Sequence, residues 1–556
     1  MASVIAFLVT ITLAYISYLR IIPQRNTLLF SILSIIFLVS TIFSGCSSVL
    51  KNRRKINIQD KKTKFKIAFS SALLTVAYVV FIGLSRYYRC YGLIDGEQIF
   101  YHMFVSSSGM DFSTVFTIAI PSICGGVIFA VCLSYFLYLS LYFIDYCRSN
   151  NKRMLRRHGL LMFNLTPLVA FILVFLYLFH TIPITQFIYY QYFTSSSFIE
   201  DHYADPKDTT ISFPDEKRNL IYIYMESMEN TFADKKNGGA FDENMIPEIT
   251  KLQNENIFFS NNDNHGGALT TYGMTYTTAS IVSQSFGIPL KVGNKSFPEM
   301  PDAILPNMYN IFDILDDAGY AQYVIMGSSA DFGGLKELFD SHGNTTVFDY
   351  NSMIDEEFID KNYRVFWGVE DKLMYDYSKK KLDEISKKDE PFFFVMETVD
   401  THNPDGWCCN ECGDKFDSQY GNVVACASKQ VNDFVSWAQK QSWYENTTIV
   451  IVGDHLSMKN DFFEDINKNY NRTTLNIFIN STVDNIASQN FVNRQFCSMD
   501  MLPTTLAAIG CKIDGDRLGL GTNLFSQRQT IFEEFGFEFV NTEFKKKSTF
   551  TQSVFE

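Results

Sequence analysis

Three apolar runs in this 556-residue chain end on side chains that can hold a cation or move a proton. The run 219–225 (NLIYIYM) is followed by Glu226, and the run 447–453 (TTIVIVG) by Asp454 and His455. The run 391–397 (PFFFVME) leads into Asp400, Thr401 and His402. Oxygen and nitrogen donors delivered from separate strand ends suit a cage for one divalent cation such as Mn²⁺, Mg²⁺ or Zn²⁺. Taken singly each signal is weak, because a glutamate after a strand is ordinarily a solvated cap and Gly-Asp-His arises by chance. The conjunction carries the weight, since open α/β sheets bind ligands where their strands end.

A second stretch offers hydroxyls. Residues 264–289 read NHGGALTTYGMTYTTASIVSQSFGIP, a glycine- and threonine-rich loop running into a short helical pattern. A threonine at such a junction sits near free N–H groups and the positive end of the helix dipole, which favours a phosphoryl or sulfuryl oxygen. Its hydroxyl is a poor nucleophile until a metal or base helps remove the proton. Helix capping is the competing reading of the same hydroxyls.

Positioning these groups needs a sheet. Strands are expected at 219–225, 256–260, 320–326, 391–397, 447–453 and 473–480, several of them nearly continuous apolar runs of the kind covered by helices on both faces. Helices are expected at 304–317, 371–387 and 427–441, the last with a stripe at Val431, Phe434, Val435 and Trp437. Alternation of this kind predicts one large α/β domain with a mainly parallel sheet.

The N-terminal third reads differently. Apolar stretches at 3–22, 28–49, 66–85, 115–143 and 159–181 are each long enough for a membrane helix. The first has no basic region before it and no small-residue cleavage site after it, so it reads as a retained helix. Residues 1–204 carry 17 Lys and Arg against 7 Asp and Glu, while the rest of the chain carries 30 against 53. Thirteen of those 17 positive charges fall in two loops, Lys51–Lys66 and Arg148–Arg157. The positive-inside rule places both loops, and the N-terminus, in the cytoplasm, and everything after the fifth helix outside. The acidic C-terminal part excludes a nucleic-acid binder, which needs clustered Lys and Arg. The organisation expected is therefore a polytopic α-helical membrane anchor at 1–181, a connector at 182–217, the α/β domain at 218–526 and a C-terminal segment at 527–556.

Six of the 11 cysteines fall in the outer part: Cys408, Cys409, Cys412, Cys426, Cys497 and Cys511. An even number in an exported domain favours disulfides. Cys408-Cys409-Asn410-Glu411-Cys412 also reads as half a zinc site, but no second Cys-x-x-Cys or histidine pair completes it.

Five motifs together resemble one family. NLIYIYMES (219–227), GMTYTTAS with SQSFGIPL (273–290), DTHNPDGW (400–407), IVIVGDHLSM (449–458) and RLGLGTNL (517–524) are similar to the sulfatase-like phosphoglycerol transferases of the alkaline-phosphatase superfamily. Those that act on membrane-derived oligosaccharides are nearest in pattern, and the lipoteichoic acid synthases are relatives. The resemblance covers about 218–526. It implies a sulfatase-like fold, one bound divalent cation (Mn²⁺ foremost), and Glu226, Thr277, Asp454 and His455 as its ligands. It also implies Thr277 as nucleophile and His402 as the group that meets the substrate phosphate and protonates the leaving alkoxide. Thr275 stands where the family motif has its second glycine, and Thr275 and Thr278 flank Thr277. Segment 327–335 holds Asp331 where relatives tend to offer a basic group, which leaves His265 or Lys336 to neutralise the donor phosphate.

The function expected from the resemblance is transfer of glycerol phosphate from phosphatidylglycerol to hydroxyls of an envelope glycan, at the outer face of the inner membrane. A polyglycerolphosphate synthase would use the same site with a different acceptor. A sulfatase would need Cys or Ser in a Cys/Ser-x-Pro-x-Arg setting, which is absent from this sequence. A non-catalytic glycan-binding or sensor ectodomain would have no need for Glu226, Thr277, Asp454 and His455 together.

Overall fold

The structure is a computed structural model. It describes residues 95–105, 184–291, 304–483 and 491–550, with isolated helical residues between 65 and 83, at 119–120, at 122–125, and at 154, 172 and 176. The five apolar segments at 3–22, 28–49, 66–85, 115–143 and 159–181 lie outside the described residues apart from those positions. Among the described residues no helix is long and apolar enough to cross a membrane. The chain divides into two compact units. One, 1–74 with 130–167, is almost wholly outside the described residues; the other, 75–129 with 168–556, holds everything that follows.

Six strands form the central sheet: β1 (Asn219–Met225), β2 (Ala321–Met326), β3 (Thr345–Phe348), β4 (Phe392–Glu397), β5 (Thr447–Gly453) and β6 (Asn476–Ile479). Their order is β3-β2-β4-β1-β5-β6; all neighbours are parallel except β6, which runs antiparallel to β5. Alternate side chains of β1 enter two separate cores. Leu220, Tyr222 and Tyr224 join one, and Ile221, Ile223 and Met225 join the other. Helices therefore cover both faces, as the unbroken apolar runs require. Helix α3 (Thr277–Phe286) buries Ala279, Ile281, Val282 and Phe286 on the first face. Helices α4 (Asp371–Ile385) and α5 (Gln419–Ala438) pack on the second through Met374, Leu382, Val431, Phe434 and Val435.

Some expected elements differ. The segment 256–260 is no strand: Ile257 makes a single bridge to Phe478, and the Asn476 side chain then takes over both backbone groups of Phe259. A side chain that substitutes for the ladder ends the pairing. Strand β3 is absent from the expected set because it is four residues long, half-buried and at the sheet edge. The helix expected over 304–317 begins only at Ile311, where Asn310 caps it by accepting from Phe312 and Asp313 N–H groups. The helix expected over 427–441 starts earlier, at Gln419.

The connector is not a plain linker. Two helices flank a tight contact, α1 (Gly96–Phe104) and α2 (Ile184–Phe193). A Cβ on Gly96 would lie 2.5 Å from Phe187 Cβ, so glycine permits the Phe100–Phe187 stack at 4.4 Å. The Gln191 amide donates to Glu97 at 2.8 Å, both buried. At the other end of the chain, helices Ile531–Phe535 and Phe537–Lys545 bury Ile531, Phe532, Val540 and Phe544 in the first core.

The expected disulfides are not formed. All six outer cysteines are free thiols, with Cys497 and Cys511 each buried among apolar neighbours.

Candidate active site

Strands β4, β1 and β5 are adjacent and parallel, and their registers pair Tyr224 with Glu397 and Met225 with Gly453. Their carboxyl ends are therefore level, and the residues that follow them converge. Glu226 and Asp454 are fully enclosed, as is His455. His455 Nε2 lies 3.6 Å from Glu226 Oε1 and 3.4 Å from Asp454 Oδ2. Its Nδ1 meets the Leu456 carbonyl at 2.9 Å, a contact that puts the proton on Nδ1 and leaves Nε2 as a lone-pair donor. Asp454 Oδ1 accepts from the N–H groups of Ser227 and His455, each at 2.7 Å. Ser227 holds the turn open with a left-handed backbone, φ 53°.

The third element is the start of α3. Gly273, at φ 78°, reverses the loop, and a Cβ there would come within 2.8 Å of the Leu290 carbonyl oxygen. Three threonines follow, and their hydroxyls go three ways. Thr275 donates to Asp95 Oδ2 at 3.1 Å, and Thr278 to the Gly333 carbonyl at 2.9 Å. Thr277 Oγ1 alone turns to the strand ends, 3.2 Å from Glu226 Oε2 and 3.4 Å from His455 Nε2. Thr275 and Thr277 are half-exposed, and Thr278 is buried. Helix α3 is anchored beneath it, where Ser280 donates to the Asp454 carbonyl.

His402 arrives on the turn after β4. Asp371, buried at the start of α4, accepts from the N–H groups of Val399 and Asp400 and so pins that turn. Burial pushes the Asp371 carboxyl up to about 7. His402 Nδ1 meets the Asn403 carbonyl at 2.9 Å, and its ring packs on Trp367 at 4.6 Å. The sequence reading missed His102 of α1, whose ring lies 5.3 Å from Tyr276 and 6.4 Å from Phe332. The only sequence signal was a polar island, Asp95-Gly96-Glu97-Gln98, between two apolar segments.

His265 and Lys336 stand elsewhere. His265 packs edge-on against Phe258 at 4.9 Å, and Lys336 is exposed in the first turn of helix Leu335–Asp340. Asp331 accepts from Ser329 Oγ at 3.3 Å within its own loop. That loop nevertheless touches the site through Gly333, whose carbonyl takes both Thr278 and the Tyr101 hydroxyl.

The donor set fits a divalent cation. One ligating atom from each of Glu226, Asp454 and His455 falls within 4.8 Å of the others, and Asp454 Oδ2 is buried with no hydrogen-bond partner. Burial, and then the charge of Glu226, push the Asp454 carboxyl well above the usual range. Burial also opposes ionisation of Glu226, yet that carboxyl is held low, with the Ser227 hydroxyl donating to its Oε1 at 2.6 Å. Two carboxylates in an enclosed pocket, one with an orphan oxygen, present a charge deficit that a cation meets.

Comparison with known proteins agrees with this architecture. The sulfatase family model matches residues 218–511. Phosphoglycerol transferase I from Escherichia coli (strain SMS-3-5 / SECEC) is 33% identical over 276 residues, which is 48% of this chain and 34% of that protein. The K12 protein of the same name matches to the same extent. The match thus spans about a third of the length of these curated relatives. Among solved structures, an alkaline phosphatase superfamily protein from Vibrio parahaemolyticus aligns with a TM-score of 0.45 and 19% identity, over 59% of this chain and 76% of that one. The integral membrane lipooligosaccharide phosphoethanolamine transferase A from Neisseria meningitidis aligns with a TM-score of 0.45 and 10% identity, over 90% and 92%. With its model covering more than half of the sequence, and the strand-end ligands inside the matched range, this chain belongs to the sulfatase family.

Proposed function

We propose that the protein moves a glycerol phosphate group from phosphatidylglycerol to a hydroxyl of an envelope glycan, through a covalent intermediate on Thr277. The observation that carries this reading is the separation of the three threonines, which leaves only Thr277 Oγ1 facing Glu226 and His455. The name of the 33%-identical relatives supports the transferred group.

Glu226, Asp454 and His455, with Thr277 Oγ1, would hold one divalent cation, Mn²⁺ in the first instance. When bound, it supplies charge stabilisation at phosphorus oxygens and a lowered pKa for a ligating hydroxyl. The residues of the chain do the rest. Thr277, its hydroxyl proton first lost to solvent, attacks phosphorus as the alkoxide from the start of α3, where free N–H groups favour phosphoryl oxygens. The bond from phosphorus to the diacylglycerol oxygen breaks, and His402 gives that oxygen its proton. A glycerophospho-threonine remains. An acceptor hydroxyl then attacks phosphorus, its proton passes to His402, and Thr277 is released as the leaving group. Two displacements at one phosphorus predict ping-pong kinetics.

The domain boundaries proposed are a membrane anchor at 1–181, a connector at 182–217, a catalytic domain at 218–526 and a C-terminal segment at 527–556, with the N-terminus cytoplasmic. Packing of α1 on the catalytic domain supports that arrangement. The charge pattern puts the loop between the third and fourth apolar segments outside, and this loop contains Asp95 and Tyr101, which bond to Thr275 and Gly333. A reporter fused after Ala204 should be exported and one fused within 51–66 should stay inside; a cytoplasmic signal from the first ends this topology.

The activity is tested by incubating the purified protein with phosphatidylglycerol and Mn²⁺, with and without glycan acceptors. Diacylglycerol release that rises with a glycan supports the reading. Release coupled to glycerol phosphate chains alone would make the acceptor a growing polymer, and no release would remove the donor assignment.

A further inference from the structure

A second group of ligating side chains lies on the loop that follows His402. Cys408, Cys409 and Cys412 belong to that loop, and Cys426 to α5. Cys409 Sγ lies 3.7 Å from Cys412 Sγ and 3.9 Å from Cys426 Sγ, and all three sulfurs fall within 4.8 Å of one another. A disulfide would bring two of them to ~2.0 Å. Thiolates at the corners of a tetrahedron around zinc, with Zn–S bonds of ~2.3 Å, stand ~3.8 Å apart. The observed spacing is that of the tetrahedron.

The surroundings agree with the spacing. The Glu411 N–H points at Cys409 Sγ at 3.4 Å, and the Cys412 N–H bonds back to the Cys409 carbonyl at 3.2 Å. Cys409-Asn410-Glu411-Cys412-Gly413 is thereby folded as a tight turn with its two sulfurs on one side. One helical turn beyond Cys426, Gln430 Nε2 lies 3.5 Å from Cys409 Sγ and 3.6 Å from Cys426 Sγ. Outer N–H donors of this kind orient and stabilise thiolate ligands. Cys408 is exposed and stands outside this group of three sulfurs. Elsewhere the loop is held at a few points, among them the Asn422 side chain on both backbone groups of Phe416 and the Lys415–Glu243 and Lys372–Glu411 ion pairs. No side chain from Asn410 to Gln419 is buried.

We propose that Cys409, Cys412 and Cys426 bind a zinc ion, its fourth position open to solvent, that fastens the loop carrying His402 to α5. Each thiol loses its proton to solvent on binding, and no oxidant is involved. Thiolate donors select zinc over the hard cations that suit the strand-end site. The site is separate from that centre and does not depend on the proposed transfer reaction.

The test uses the full chain purified in detergent without chelator. An organomercurial that blocks thiols is titrated in while a chromogenic chelator reports released zinc. One equivalent per chain is expected from the wild type and from Asp454→Ala alike, and none from the double variant Cys409→Ser/Cys412→Ser. Should that variant fail to fold, the wild type alone decides the matter, because its peptide map must then show Cys409, Cys412 and Cys426 as alkylatable thiols once zinc is removed. A disulfide joining any two of them, no thiol-released zinc from the wild type, or the same release from the double variant would each overturn the assignment.

Discussion

The two ligand groups of this protein are built in opposite ways. Glu226, Thr277, Asp454 and His455 come from distant parts of the sequence and are brought together by the level ends of adjacent strands and one helix start. Their backbones are set by a core that exists without any cation. The three cysteines come from a single run, 409 to 426, most of it a loop with no buried side chain between 410 and 419. One site is placed by the fold; the other has to hold its own piece of the fold in place. Loss of a cation should therefore cost chemistry at the first and local order at the second.

The largest effect expected is at Thr277. Thr277→Ala should bring diacylglycerol release below detection and give no glycerophospho adduct by intact mass, while the melting temperature stays within about 2 °C of wild type, as for a surface-facing hydroxyl. Activity in that variant would break the placement argument. His402→Ala comes next, with a rate loss of roughly 10²–10⁴, the usual range for a general acid–base group. A slow adduct on Thr277 should still be trapped by a donor-only incubation, because Glu226 and His455 remain.

Removing zinc from the thiol group sharpens the contrast. Cys412→Ser should lower the melting temperature by ~1–2 °C, about 1 kcal/mol for a domain of this size, and open the 403–418 loop to protease. Asp454→Ala should abolish turnover without that cleavage. Equal protease sensitivity in the two variants would erase the distinction between the sites. The smallest effects belong to the bystander hydroxyls. Thr275→Ala and Thr278→Ala each lose one hydrogen bond, about 1 kcal/mol of stability, and should keep turnover within roughly tenfold of wild type. An adduct mapped to either residue would move the nucleophile.

Legibility in the sequence followed burial. The strands β1 and β5 read correctly to the residue because they are unbroken apolar runs, and the ionisable residues just after them could be named on that basis alone. The edge strand β3, short and half-exposed, left no such trace. Which of Thr275, Thr277 and Thr278 faces the carboxylates is set by the helix start, and spacing alone does not carry that direction. The resemblance, not the pattern, singled out Thr277. Cys426 escaped the zinc reading for a related reason. Zinc motifs are legible as two pairs, whereas here the third sulfur comes singly from a helix face packed against the loop. His102 was invisible because its neighbours Tyr276 and Phe332 are far from it in sequence.

The contact of α1 with the catalytic domain also has a mechanical meaning. Gln191 of α2 donates to Glu97 of α1, and α1 in turn meets the domain through Thr275 to Asp95 and Tyr101 to Gly333. A beam pinned at two points cannot turn about either one. Thr277 therefore keeps a single heading relative to α1 and α2.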